Sequence, residues 1–248
     1  MDNLGLVSIS FRNLSIEEII NLCRKNGLKN IEWGGDVHVP HGDIETAKAV
    51  FEECEQAGIK TAAYGSYYRV CPKKTVNPKW SAVVDTAAAL HATVIRVWIC
   101  EQGSAETDEK EFNAAVEELK EMCGIAAKKG ITVCAECHPF TLTDDYVYSV
   151  RLAKAVNLPN FKLYWQPNQF KDLQYNLSSI DAMKEYIMNV HTFYWEENKK
   201  LSLSEGREIW QMYLKRLGNT PKCFLFEFMP NDFPEELPEE IKIFNSFN

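Results

Sequence analysis

An α/β barrel of eight parallel strands, each followed by a helix, is the fold the sequence predicts, and three observations predict it. Eight short apolar or β-branched runs recur along 248 residues, their centres lie 24 to 38 residues apart, and the stretches between them carry helical spacing and helix caps. Spacing of that size leaves room for one crossover helix between consecutive parallel strands. The length suits such a (β/α)8 barrel as a single domain over residues 1–248.

The elements follow in order. Leu4 to Ser10 is the first predicted strand, and Ser15-Ile16-Glu17-Glu18 then reads as a capping box, with Ile16, Ile19, Ile20 and Cys23 on one helical face until Gly27. Lys29 to Trp33 is the second strand, Asp43 to Gly58 the next clear helix, Ile59 to Tyr64 the third strand and Thr93 to Trp98 the fourth. Asp108 to Gly130 leads into the fifth strand, Ile131 to Glu136. Phe161 to Gln166 and Asn189 to Phe193 are the sixth and seventh, and Ser204 to Gly218 precedes the eighth, Cys223 to Glu227. In each of these later helices an N-cap residue opens the run and glycine closes it. An open doubly wound sheet would place a glycine-rich phosphate turn after an early strand; here that turn reads Ser10-Phe11-Arg12-Asn13.

Composition narrows the function. Lys and Arg number 27 against 35 Asp and Glu, a formal charge of −8, which has the wrong sign for neutralising phosphates, so no nucleic-acid partner is expected. Apolar runs are far shorter than the roughly 18 residues needed to cross a bilayer, and the N-terminus carries no basic, apolar leader, so a cytoplasmic protein without a membrane partner is expected. The eight cysteines are scattered through a chain large enough to fold without staples and read as reduced, buried hydrophobes. Cys134-Ala135-Glu136-Cys137 has two-cysteine redox spacing, but it lies in a strand, where residues three apart face opposite ways.

In a barrel of this kind, chemistry gathers at the C-terminal ends of the strands. Four predicted strands carry a polar group near that end: Glu136, Gln166, His191 and Glu227. A lone strand-end glutamate is ordinarily a solvated rim charge and a lone strand histidine a satisfied core group. Four in succession point instead to a shared centre, in which two carboxylates, an imidazole and an amide oxygen suit Mn²⁺, Co²⁺, Mg²⁺ or Zn²⁺. Smaller candidates around the same bowl are His138, on the face of Glu136; His38, behind Gly34 and Gly35; Arg96 and Trp98, sharing a face; and Trp195, as a wall. These five are expected to bind substrate, Arg96 through its charge and Trp98 by stacking on a sugar ring.

The chain resembles the xylose isomerase-like TIM barrel family of sugar epimerases, hydroxypyruvate isomerases and inosose dehydratases. The resemblance rests on Ile131-Thr132-Val133-Cys134-Ala135-Glu136-Cys137-His138, Lys162-Leu163-Tyr164-Trp165-Gln166-Pro167-Asn168-Gln169, Val190-His191, Phe226-Glu227 and Trp33-Gly34-Gly35-Asp36-Val37-His38. It implies a divalent metal held by Glu136, Gln166, His191 and Glu227, with Glu136 and Glu227 also moving protons on a small sugar or polyhydroxylated keto compound. Isomerisation or epimerisation is the expected reaction, dehydration an allied one, and an oligomer is compatible with it. Two departures stand out: Gln166 replaces the usual Asp and Gln169 the usual His. They favour the competing reading, a sugar-binding or regulatory barrel with an impaired metal site. Abasic-site endonucleases share the architecture but resemble three-zinc sites rich in histidine, which five histidines and a charge of −8 do not suit.

Overall fold

The computed structural model describes residues 2–196 and 198–247. Eight of its ten strands close a parallel barrel: β1 (Leu4–Val7), β2 (Asn30–Gly34), β3 (Lys60–Val70), β4 (Val94–Ile99), β5 (Thr132–Glu136), β6 (Phe161–Trp165), β7 (Ile187–Thr192) and β10 (Cys223–Phe226). They lie in chain order, and β10 pairs with β1 to close the ring. Eight helices surround it: α1 (Ile16–Lys25), α2 (Ile44–Ala57), α3 (Trp80–Ala89), α4 (Glu109–Ala127), α5 (Tyr146–Val156), α6 (Leu173–Met183), α7 (Arg207–Leu217) and α8 (Leu237–Asn245). None is long and apolar enough to cross a membrane.

Local chemistry sets the helix ends. Ser15 accepts from the Glu18 backbone N–H while Glu18 accepts from that of Ser15; Asp108 and Glu111 repeat this reciprocal cap at α4. Gly58 closes α2 at φ +67°, a backbone state other residues adopt only under strain. Along each strand, alternate side chains go to different cores. Ile31, Trp33, Val133, Ala135, Leu163 and Trp165 pack outward against the helices. Val7, Ala63, Val94, Cys134, Tyr164 and Leu225 fill the barrel itself. Trp210 of α7 sits fully buried among Trp165, Tyr213 and Phe244, and its indole donates to Phe193 O at 3.0 Å.

The structure departs from the sequence reading in four places. β1 ends at Val7, and Ser8–Phe11 forms a turn of 3-10 helix instead of continuing to Ser10. β3 runs on to Val70, well past Tyr64. α7 begins at Arg207 behind a turn, not at Ser204. An antiparallel hairpin, β8 (Tyr194–Glu196) and β9 (Lys199–Leu201), is inserted between β7 and α7. Ties at both edges hold it: Lys200 pairs with Asp232, and Glu240 of α8 accepts from the Ser202 hydroxyl at 2.6 Å and the Leu203 N–H at 2.8 Å. All eight cysteines are free. Cys134 points into the barrel, and Cys137 lies outside it, within 3.5 Å of Ser149 Oγ, so the two thiols do not meet.

Candidate active site

The C-terminal ends of β5, β6, β7 and β10 converge on one buried imidazole. Glu136 is the last residue of β5, His191 lies in β7, and Gln166 and Glu227 directly follow β6 and β10. His191 Nδ1 has three oxygens around it: Gln166 Oε1 at 3.1 Å, Glu227 Oε2 at 3.2 Å and Glu136 Oε1 at 3.4 Å. All four side chains are buried. The four residues singled out in the sequence therefore do meet.

A fifth residue completes the cluster. Glu32, fully buried in β2, places Oε2 3.3 Å from His191 Nε2 and accepts from Arg96 Nε on Oε1 at 2.6 Å. Arg96 Nη1 and Trp98 Nε1 both donate to Glu136 Oε2. A carboxylate facing Nε2 can only accept, so Nε2 carries hydrogen and a neutral His191 turns its Nδ1 lone pair toward three oxygens. Lone pairs so arranged need a positive charge among them.

The donor set fits a divalent cation. Glu136, His191 and Glu227 each offer one ligand atom, all within 4.8 Å of one another, and the Gln166 amide oxygen joins them. Three buried carboxylates, Glu32, Glu136 and Glu227, face one guanidinium, leaving two negative charges when His191 is neutral. A 2+ ion balances them. Without one, a proton on His191 offsets one of the two charges: burial alone would lower the His191 pKa, but Glu227 and Glu32 outweigh it and lift it well above the usual value. Burial likewise works to raise Glu136, yet the Arg96 charge prevails and holds this carboxyl far below the ordinary range. Glu32 is lowered against the same burial by Arg96 and His191.

Above this point opens a cleft of about 350 Å³ lined by Arg12, Tyr67, Trp98, His138, Phe140, Gln169, Phe193, Trp195 and Phe228. Trp98 packs against Tyr67 and His138, with ring centroids 5.1 and 4.8 Å apart. His138 Nδ1 lies 2.7 Å from Pro139 O. A carbonyl oxygen only accepts, so Nδ1 carries the hydrogen, and in the neutral ring the lone pair is on Nε2. Trp195, at the base of the hairpin, forms a wall, and its buried indole N–H has no partner among the described residues. Tyr67, Phe140 and Phe228 all have left-handed backbones, at φ 54°, 61° and 57°.

One expectation is corrected and another extended. His38 does not reach the cleft: its Nδ1 lies 3.0 Å from Ser8 Oγ and its Nε2 3.1 Å from Leu14 O, and both ring nitrogens are satisfied behind the turn that follows β2. Arg96 points inward and lines the cleft as expected, with Nε and Nη1 committed to Glu32 and Glu136 so that it also serves as an internal counter-ion. Arg12, at the rim, is likewise paired with Asp36 at 2.7 Å.

The sequence model of one family, described as xylose isomerase-like TIM barrel, matches residues 16–220. This chain belongs to that family. It is 22% identical over 272 residues to a 3-dehydroshikimate dehydratase of Bacillus anthracis, across 98% of this chain and 97% of that one. Its fold matches the crystal structure of the probable 3-DHS dehydratase AsbF, involved in petrobactin synthesis in the same organism, with a TM-score of 0.82, 18% identity and full coverage of both chains. The IOLI protein, solved with a binding zinc atom, matches with a TM-score of 0.71 and 16% identity over 99% of this chain and 96% of that one.

Within the xylose isomerase-like pattern, Gln166 keeps an oxygen where the usual Asp has one, and Gln169 lines the cleft. Glu32 escaped the sequence reading. Its signal was available: a single charge inside Ile31-Glu32-Trp33, an otherwise apolar and fully buried strand segment.

Proposed function

We propose that this chain is a divalent-metal-dependent enzyme that removes water from a small cyclic hydroxyketone bearing a carboxylate, a compound of the 3-dehydroshikimate type. The convergence of Glu136, Gln166, Glu227 and His191 Nδ1 within hydrogen-bonding distance carries this reading. These four residues would hold the ion. Bound there, it would supply Lewis-acid polarisation of a substrate carbonyl oxygen.

The chain's own groups divide the remaining work. Glu136 carries two donors on Oε2 and a strongly depressed pKa, which makes it a poor base and a good anionic ligand. Its part is to hold charge. His138 is better suited to move the proton: its Nε2 lone pair is fixed by the Nδ1 bond to Pro139 O, at the wall of the cleft. Nε2 takes the proton from the carbon beside the ketone as the double bond forms toward the next carbon. The hydroxyl on that carbon leaves, receives the same proton from the imidazolium, and departs as water. Glu227, at the floor of the cleft, accepts from a substrate hydroxyl, while Trp98, Trp195 and Phe228 enclose the ring and exclude solvent.

Isomerisation or epimerisation is the second reading, favoured by the two glutamates, Glu136 and Glu227, that both reach His191 Nδ1. Epimerisation needs a competent base on each face of the substrate, and Glu136 is tied down. One experiment separates the readings: the Mn²⁺-loaded chain is given 3-dehydroshikimate and, separately, a free ketohexose in heavy water. Loss of water from the first, reduced 10²- to 10⁴-fold in His138→Asn, supports dehydration. Deuterium entering the ketohexose at a comparable rate, with no dehydration of the first, refutes it.

A further inference from the structure

Glu32 touches neither the cleft nor the proposed substrate, yet it joins the two halves of the site. It is fully buried, and each of its carboxylate oxygens is committed to a different site residue. Oε2 receives the Nε2 hydrogen of His191, the residue whose opposite nitrogen faces Gln166, Glu136 and Glu227. Oε1 receives Arg96 Nε, and the same guanidinium donates through Nη1 to Glu136. One side chain thus reaches two residues of the ligand cluster along two separate routes.

The backbone makes room for it. β2 pairs with β3 so that Gly34 lies beside Gly65, and a side-chain carbon at Gly65 would fall 2.8 Å from Arg96 Nη2 and 2.9 Å from Glu32 Oε1. Only a residue without a side chain leaves the pair undisturbed. Space around Glu32 and Arg96 is therefore built into β3 at Gly65.

We propose that Glu32 is a positioning residue for the metal centre: it fixes His191 as the Nε2–H tautomer, with the Nδ1 lone pair presented to the ion, and it sets Arg96 so that Glu136 turns a single oxygen the same way. The inference rests on the metal-dependent reading above. A carboxylate behind a ligating imidazole holds its tautomer and ring plane and strengthens it as a donor, and losing such a partner typically weakens metal affinity 10- to 100-fold. Glu32 would act on two donors at once, so the upper end of that range is expected.

The test compares the full chain with Glu32→Gln, which keeps the size of the side chain and removes its charge. Mn²⁺ binding is followed by calorimetry, and the ring nitrogens of His191 by ¹⁵N NMR in the Zn²⁺-loaded state. Weakening of Mn²⁺ binding by 10-fold or more, with loss of the slowly exchanging Nε2–H signal, is the expected result. Gly65→Ala presses on the same pair without altering any charge, and it should weaken Mn²⁺ in the same direction even where Glu32→Gln fails to fold. A wild-type chain that binds Mn²⁺ and variants that bind it equally well, with the Nε2–H signal intact, overturn the role of Glu32. A wild-type chain that takes up neither Mn²⁺ nor Zn²⁺ overturns the metal reading itself, and the two failures are told apart by the wild type alone.

Discussion

Replacing Gln166 by Glu tests the centre with almost no change of volume. The new carboxylate would sit where the amide oxygen now lies 3.1 Å from His191 Nδ1. In the metal-free chain the protonated imidazole attracts it by about 5 kcal/mol at an effective dielectric constant near 20. Glu136 and Glu227 face the same nitrogen and repel it; a repulsion across about 5 Å would be about 3 kcal/mol apiece on the same scale. The balance is a loss of about 1–2 kcal/mol, to which desolvation of the added charge contributes in the same direction. For a chain of this length that lowers Tm by about 2–8 °C. With the ion present the sign reverses, since a third anionic ligand, added to Glu136 and Glu227, should tighten binding about 10-fold, or about 1.4 kcal/mol. The assay is thermal unfolding with and without 1 mM Mn²⁺. The variant should melt below wild type when metal-free and gain about 3–6 °C more from Mn²⁺ than wild type does. An unchanged metal-free Tm together with an unchanged Mn²⁺ increment would show that residue 166 does not face the ion.

Other outcomes follow from the same geometry. Arg96→Met leaves Glu32 and Glu136 buried without their counter-ion and should cost about 3–5 kcal/mol, read as a fall in the urea midpoint; a loss below about 1 kcal/mol would contradict the pairing. Trp98→Phe removes a donor from Glu136 Oε2 worth about 1.5–3 kcal/mol, so kcat/KM should drop roughly 10- to 100-fold with little change in fold by circular dichroism. Trp210→Ala empties the fully buried contact of α7 with Trp165 and Phe244 and should cost about 3–5 kcal/mol in equilibrium unfolding. Glu101 supplies the pH test. The Thr75 side chain and the backbone N–H groups of Thr75, Lys74 and Lys73 lower its pKa from 4.5 to about 2, so its hold on this loop is complete above pH 4.5 and lost as pH falls through about 2. Amide shifts of residues 73–75 should titrate near pH 2, and a midpoint near 4.5 would refute the latch.

His191 and the three residues around its Nδ1 were legible in the sequence because each lies at or just beyond the C-terminal end of an apolar strand, and a polar residue there has few places to go but the mouth of the barrel. Glu32 was not, because its meaning lies in partners 64 and 159 positions away, Arg96 and His191. His38 misled for the reverse reason. A histidine behind two glycines looks free to turn inward, and only the fold brings Ser8 and Leu14 to its two nitrogens. The β8–β9 hairpin also escaped notice: Tyr194–Leu201 has no long apolar alternation, and it is held by Lys200–Asp232 and by Glu240, contacts that close only after the barrel has formed. Capping residues, by contrast, act over three positions, which is why α1, α2 and α4 start where the sequence places them.

Three aromatic residues of the rim, Tyr67, Phe140 and Phe228, keep a backbone shape that suits glycine better than any bulky side chain. Each such bend costs about 1–2 kcal/mol. Selection for heat resistance alone would favour glycine at exposed Phe140, whereas Tyr67 and Phe228 recover the cost of the bend by packing against the barrel core, so the lining of the mouth is in large part its own support.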